Sequence, residues 1–411
     1  MRLAEIEATL PADGAEALRR AAEAAGLHTR RVEEEALLLY AGGNAPRVAR
    51  EFPLLSAQPS MGYPGDKYQA GLEPIDVIEV TVARLVADVM GARFAEIRPT
   101  SATLANLAVY TAFAQPGDTI AVLPDWAGGH LSHHEIGAAG VRGIRVVELP
   151  YETEMLDVDL DRLSDLLDGE RPKLVVIGAS LMLRPHRVGE IAARVHERGA
   201  HLLYDASHVA GLVAEGRFQT PLRDGADVVT FSTYKSFAGP AGGVIVADDP
   251  GVMERCSAAV YPGLTANYDV GRLLPLGEAA LAHARSGGDY ADRCIANARA
   301  LAAALAAEGL AVVGGGTDSH HVAVDVRALG GGTAAARRLA EINILLSEIG
   351  CPAPDGPDPA GAIRIGTQSV TTQGFEPADM PAVASLIARG LLEPTAALRA
   401  EVAAIRRKHP P

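Results

Sequence analysis

Leu202-Leu203-Tyr204-Asp205-Ala206-Ser207-His208 is the stretch on which the fold turns. A short, largely apolar run ends in a carboxylate, as expected of a buried strand that delivers one charged side chain at its C-terminal end. Working outward, short β-branched runs recur at Ala95–Arg98, Thr119–Leu123, Arg145–Leu149, Leu174–Ile177, Val228–Phe231 and Gly243–Ala247, separated by longer Ala/Leu/Arg/Glu stretches. That alternation predicts parallel strands joined by crossover helices. Within Arg187–Gly199 the apolar residues Val188, Ile191, Ala192 and Val195 share one helical face. The expectation is an α/β protein: a large domain over 51–270 with a mostly parallel seven-stranded sheet between helices, and a smaller α+β C-terminal domain over 271–411. The latter begins with Ala-rich helix and continues with strands at Ala311–Val313 and Val322–Val326. Residues 1–50 are expected to form an N-terminal arm packed on the rest or on a partner subunit.

The 411 residues carry 37 basic and 51 acidic side chains, a net charge of −14, with 48% hydrophobic and 4% aromatic residues. This length can bury a substantial core. The acidic balance argues against nucleic acid or an anionic membrane as partner, because attraction to phosphate needs the opposite sign. Apolar runs such as Leu174–Ile177 fall far short of the roughly 20 residues of a bilayer span, and the N-terminus lacks the basic-then-apolar order of a signal peptide. A soluble, cytoplasmic protein is expected. Cys256, Cys294 and Cys351 lie far apart with no Cys-x-x-Cys, so neither a disulfide framework nor a thiolate zinc site is indicated.

Four lysines can be weighed one by one. Lys67 after a Pro-Gly turn, Lys173 opening a strand and Lys408 near the terminus read as surface residues, and Arg406-Arg407-Lys408 reads as a solvated helix end. Lys235 differs. It lies just beyond a strand, after the hydroxyls of Ser232 and Thr233, and before a Gly239-Pro240-Ala241-Gly242-Gly243 loop that lets a ligand approach the backbone. Such an amine is either an exposed loop lysine or a Schiff-base nucleophile whose pKa partial desolvation lowers.

Asp205, after its apolar strand, wants a cationic partner or caps the next helix. A protonated pyridine nitrogen would be such a partner. Ser101-Ala102-Thr103, between strand and helix, is an N-cap or a phosphate cup at the positive helix end. Arg364, within Ile363-Arg364-Ile365-Gly366-Thr367, makes either a structural ion pair or a bidentate grip on a carboxylate. Read together, aldehyde-binding lysine, pyridinium carboxylate, phosphate cup and carboxylate clamp describe a pyridoxal phosphate enzyme acting on an amino acid.

The chain resembles the serine hydroxymethyltransferases, pyridoxal phosphate enzymes of the aspartate-aminotransferase fold (fold type I), from about Pro46 to Phe375. The motifs include Gly62-Tyr63-Pro64-Gly65 with Tyr68 and Glu73, Gly128-Gly129-His130-Leu131, Gly178-Ala179-Ser180, Asp205 to Leu212, Lys235 with Gly239-Pro240, and Gly315 to His320. The resemblance implies Lys235 as the amine that ties the cofactor and Asp205 on its ring nitrogen. It also implies His208 and Ser180 near the phenolic oxygen, Ser101, Ala102 and Thr103 at the phosphate, and Arg364 on the substrate carboxylate. A homodimer or dimer of dimers is implied as well, with Tyr68 and the Tyr261-Pro262-Gly263 loop completing the neighbour's cofactor and substrate site.

The departures are as telling. Met61 stands at the substrate site where the family has a glutamate before Gly-Tyr-Pro-Gly, and a thioether cannot shuttle a proton. Gln69 replaces a tyrosine, Tyr234 a histidine, and Ala241 the arginine after Gly-Pro. Leu264-Thr265-Ala266-Asn267 replaces glycines, and Leu345-Leu346-Ser347 a folate-contacting Asn-x-Asn. The histidine that stacks on the ring aligns with Ala127 beside Trp126, the only tryptophan, which either stacks on the cofactor or fills core.

The expected activity is therefore pyridoxal-phosphate-dependent chemistry at Cα of an α-amino acid in the aldol or retro-aldol sense, of hydroxymethyltransferase, aldolase or transaldolase type, without folate. Racemase or aminotransferase chemistry, and an inactive paralogue acting as a binding subunit, are the alternatives. Candidate bases near the β-hydroxyl are His130, Tyr234 or the substrate's own groups. His130, His133 and His134, and again His320 and His321, show no familiar zinc spacing and are assigned loop and supporting roles, with no metal.

Overall fold

A computed structural model describes residues 34–41, 60–352 and 358–409. The strands are β1 (Phe94–Glu96), β2 (Thr119–Val122), β3 (Arg145–Glu148), β4 (Leu174–Ile177), β5 (His201–Asp205), β6 (Val228–Ser232) and β7 (Gly243–Ala247). They form one seven-stranded sheet in the order β1-β7-β6-β5-β4-β2-β3. All pairings are parallel except those of β7 with β6 and β1. The reason is visible in alternate residues. Val175, Ile177, Leu202 and Tyr204 enter one apolar core, while Leu174, Val176 and Leu203 enter another on the opposite face. A sheet buried on both faces must be apolar throughout, which is how these runs read.

Helices cover both faces, among them α1 (Glu73–Val89), α2 (Ala102–Phe113), α3 (Leu160–Glu170) and α4 (Val188–Glu197). In α4 the four residues expected on its inner face are buried. Because β4, β5 and β6 run parallel, their C-terminal ends open on one edge, the edge where α/β sheets bind ligands.

Helix α5 (Leu273–Ser286) follows, then α6 (Asp289–Ala307). The expected break at residue 271 does not separate two cores. Leu273, Leu276, Ala279 and Ala280 of α5 pack in the core beside the seven-stranded sheet, whereas Ala298, Leu301 and Leu305 of α6 enter a second core. That second core backs an antiparallel four-stranded sheet of β8 (Ala311–Val312), β9 (His321–Asp325), β10 (Ser347–Cys351) and β11 (Asp358–Gly366), in the order β8-β9-β11-β10. Of the expected arm, 1–33 and 42–50 lie outside the described residues. Leu37–Leu38 pairs in parallel with Ile344–Leu345, so this piece packs on the C-terminal core.

Two surface assignments are corrected. Lys67 is not a surface lysine: its side chain is 3% exposed and its Nζ lies 2.5 Å from Glu79 Oε2, whose Oε1 accepts the Tyr268 hydroxyl. Arg406 is buried, unlike the exposed Arg407 and Lys408, because the helix Ala396–Lys408 turns that residue inward with Leu398 and Val402. No helix among the described residues is long and apolar enough to cross a membrane.

Candidate active site

Each strand end contributes one part. β4 runs into Gly178, whose φ of +91° suits glycine, and a Cβ there would lie 2.2 Å from the Asp205 carbonyl oxygen. That close approach sets Ser180 beside the end of β5. β6 leads through Thr233 to Lys235, which is buried. β1 leads to Ser101, which caps α2 by accepting the Leu104 N–H at 3.1 Å. The cap does not rule out a phosphate there, since it leaves the first N–H groups of α2 without intrahelical partners. Gly243 closes the cup from below: a Cβ would lie 2.2 Å from the Ser101 carbonyl oxygen.

Lys235 Nζ lies 3.1 Å from His208 Nε2. Burial pulls the amine down to about 8, with the Asp205 charge opposing and Arg364 adding. His208 is neutral, held well below the usual histidine range first by burial and then by the Lys235 and Arg364 charges. The Ser236 hydroxyl donates to the His208 carbonyl at 2.6 Å and ties the lysine loop to the β5 end.

Asp205 stays ionised although burial opposes it, because donors converge on it. Oδ2 accepts from Asn106 Nδ2 at 3.1 Å and His133 Nε2 at 3.0 Å, and Oδ1 from the Ser207 N–H at 2.8 Å. Oδ1 thus keeps a lone pair for a further donor. The Tyr110 hydroxyl donates to His133 Nδ1, which leaves the hydrogen on Nε2, facing the carboxylate. His133 is thus a direct partner of Asp205, a supporting role of the kind expected for it, although the sequence did not indicate which residue it supports.

The same network sets His130. Thr230 donates to Asn106 Oδ1 at 2.6 Å, Asn106 Nδ2 to Ser132 Oγ at 3.1 Å, and both the Ser132 hydroxyl and N–H to His130 Nδ1 at 2.8 and 3.2 Å. The hydrogen of the neutral ring is therefore on Nε2. Burial, outweighing the Asp205 charge, lowers His130 to about 4. Nδ1 being engaged, His130 can offer only Nε2–H to a neighbouring oxygen, which favours a donor over a base.

Arg364 comes from β11 and is 6% exposed. Nη1 donates to the Ser180 carbonyl at 2.5 Å and Nη2 to Ser347 Oγ at 3.1 Å, while Nε has no partner. Among the described residues no carboxylate pairs with it, which removes the structural ion pair as its explanation. Burial lowers it to about 10. His320, at the end of the loop that enters β9, and His321, the first residue of that strand, are both fully buried; Met182 N–H donates to His321 Nδ1 at 3.2 Å, and the His321 ring packs 5.1 Å from His208. Among the described residues no group of His, Cys, Asp and Glu is arranged to hold a metal.

Other expected residues lie elsewhere. Trp126 is half-buried, meets the Tyr151 ring edge-on at 5.5 Å and lines a hollow with Leu149, Pro150 and Arg162. Its backbone underlies Gly350 of β10, which fixes that direction. Tyr234 is 38% exposed and Tyr68 80% exposed. Met61 and Tyr68 flank the hairpin of Gly62–Tyr63 and Asp66–Lys67, where the Tyr63 hydroxyl donates to the Tyr261 carbonyl at 2.6 Å, beside Gly263. No hydrogen bond or ring contact among the described residues joins this patch to the chain's own Lys235.

Comparison with known proteins places the chain among catalysts. A family model described as serine hydroxymethyltransferase matches residues 52–387. An alpha-methylserine aldolase of Variovorax paradoxus is 45% identical over 351 residues, 85% of this chain and 80% of the relative. One of a Ralstonia species is 42% identical over 341 residues, 82% and 78% of the two chains. A serine hydroxymethyltransferase of Methanopyrus kandleri is 42% identical over 356 residues, 84% and 82% of the two chains.

Proposed function

The chain belongs to the serine hydroxymethyltransferase family, and from that premise we propose that it is a pyridoxal-phosphate-dependent aldolase. Its substrate is an α-methylserine-type β-hydroxy amino acid, cleaved reversibly to an alanine-type amino acid and formaldehyde without tetrahydrofolate. The observation that carries this reading is a pair of buried cations, Lys235 and Arg364, that make no ion pair among the described residues and lie at one sheet edge with an ionised Asp205. Burying charge is costly unless a ligand repays it.

The residues fit pyridoxal phosphate. Lys235 offers a buried amine and Asp205 a carboxylate with a free lone pair. The His208 Nδ1 and Arg364 Nε atoms are buried without hydrogen-bond partners among the described residues. Lys235 would hold the aldehyde carbon, Asp205 the ring nitrogen, Ser180 and His208 the phenolic side, and Ser101, Ala102, Thr103 and Ser232 the phosphate side. Bound there, the cofactor supplies an electron-withdrawing ring that accepts the electron pair left at Cα.

The side chains do the rest. Arg364 grips the substrate carboxylate and so sets which bond at Cα stands across the ring. His130 Nε2–H donates to the oxygen that alternates between β-hydroxyl and aldehyde. Lys235, its amine lowered to about 8 by burial, would take the hydroxyl proton as the Cα–Cβ bond breaks and return it to Cα. One proton thus moves from oxygen to carbon and the atoms balance. Met61, in place of a proton-shuttling glutamate, and Ser347, occupied by Arg364, support independence from folate. Tyr68, Met61 and the Tyr261-Pro262-Gly263 loop, gathered on one patch, support a homodimer in which each chain completes its partner's site.

The test is to incubate the purified enzyme and pyridoxal phosphate with α-methylserine, serine, threonine and allothreonine, with and without tetrahydrofolate. Formaldehyde and alanine from α-methylserine at a rate indifferent to folate are expected. Absence of aldehyde from every substrate would overturn the proposal.

A further inference from the structure

Arg272, at the start of α5, is 7% exposed. Its Nη2 donates to the carbonyls of Ile97 and Pro99, the latter at 3.0 Å, but Nε and Nη1 have no hydrogen-bond partner among the described residues. Among the described residues no carboxylate pairs with it; the face of the Tyr268 ring, 6.0 Å from the guanidinium carbon, is its other neighbour. Nη1 lies against Gly242, where a Cβ would be 2.0 Å from Nη1 and 3.1 Å from Thr233 Oγ1. Gly243, the next residue, packs on the Ser101–Ala102 peptide. The guanidinium is therefore wedged between the loop that enters α2, the glycines that enter β7 and the residue two before Lys235.

A phosphate held by Ser101, Ala102 and Thr103 would meet hydroxyls, N–H groups and about half a unit of helix-terminal charge, which leaves most of a dianion unbalanced. Ala241 stands where the resembling family has its arginine after Gly-Pro. A cation from a different element, with two free donors, lies beside Gly242 instead. We propose that Arg272 is the cation that faces the cofactor phosphate, a positioning role that rests on the pyridoxal phosphate reading above. The competing account is a brace that only pins the Pro99 loop through its carbonyls.

Pyridoxal with and without its phosphate separates the two. Affinities of the apoprotein for each are measured by absorbance titration in the unaltered enzyme, Arg272→Met and Arg272→Lys. Arg272→Met is expected to weaken pyridoxal phosphate about ten- to a hundredfold, the worth of a charge-assisted hydrogen bond, and to leave pyridoxal unchanged, with Arg272→Lys between. An equal loss for both compounds, or no loss, overturns the inference in favour of the brace. Should Arg272→Met not fold, phosphorus NMR of the unaltered holoenzyme decides: a phosphate kept dianionic below its free pKa of about 6 supports the role, and ordinary titration overturns it. An unaltered enzyme that takes up neither compound overturns the cofactor reading and this inference with it, whereas uptake indifferent to Arg272 overturns only the inference.

Discussion

Arg364→Met tests whether the buried guanidinium serves the ligand or the fold. Burial lowers its pKa from 12.5 to about 10, which at pH 7 disfavours the buried cation by about 3 kcal/mol. Methionine of similar length removes that penalty but loses the hydrogen bonds to the Ser180 carbonyl and Ser347 Oγ, each worth about 1.5–3 kcal/mol for a charged donor. The two effects largely cancel, leaving a loss of at most about 3 kcal/mol, and at no more than about 2–4 °C per kcal/mol for a chain of this length the melting temperature should fall by about 10 °C or less. The ligand sees no such cancellation. Two charge-assisted bonds to its carboxylate are worth about 3–6 kcal/mol, so KM for α-methylserine should rise at least a hundredfold. Ethanolamine, which lacks the carboxylate, should perturb the spectrum of the bound cofactor equally in both proteins. A large fall in melting temperature with unchanged KM would show that Arg364 is a structural strut and would refute the reasoning.

Lys235 titrates at about 8 in the folded protein, below its ordinary 10.5, so the folded state releases its proton first. Apoprotein stability should therefore rise between about pH 8 and 10.5, where the unfolded chain binds more protons, and the rate of cofactor uptake should rise with a midpoint near 8; a flat rate profile in stopped-flow absorbance counts against this. Asp205→Asn removes the carboxylate that faces His133 and Asn106, and turnover should fall at least about a hundredfold while the chain still folds by circular dichroism; undiminished turnover would unseat Asp205 from the ring nitrogen. Lys67→Met strands the Glu79 carboxylate in the interior and should cost about 3–5 kcal/mol in denaturant titration, most of it recovered in the double substitution with Glu79→Leu; an additive double variant would show that the two do not interact.

Much of this protein is legible in one dimension. The seven strands were readable to within one or two residues because most are β-branched runs that end near a glycine, a proline or a polar residue, and a sheet buried on both faces favours that local composition. Lys235, Asp205 and His208 could be singled out for a related reason: they lie at or just past strand ends, and strand ends are local, whereas Arg364 stands inside β11 and was singled out as a lone guanidinium on an apolar strand. The tertiary structure decided what depends on neighbours distant along the chain. His133 reaches Asp205 across 72 positions, Lys67 is buried only because α1 places Glu79 over it, and Trp126 turns toward Tyr151 because Gly350 admits its backbone. Periodicity tells which face of an element is apolar, not which residue of another element stands opposite. For the same reason α5 belongs with the large sheet, and Arg272 stands beside Gly242 although 30 residues separate the two numbers.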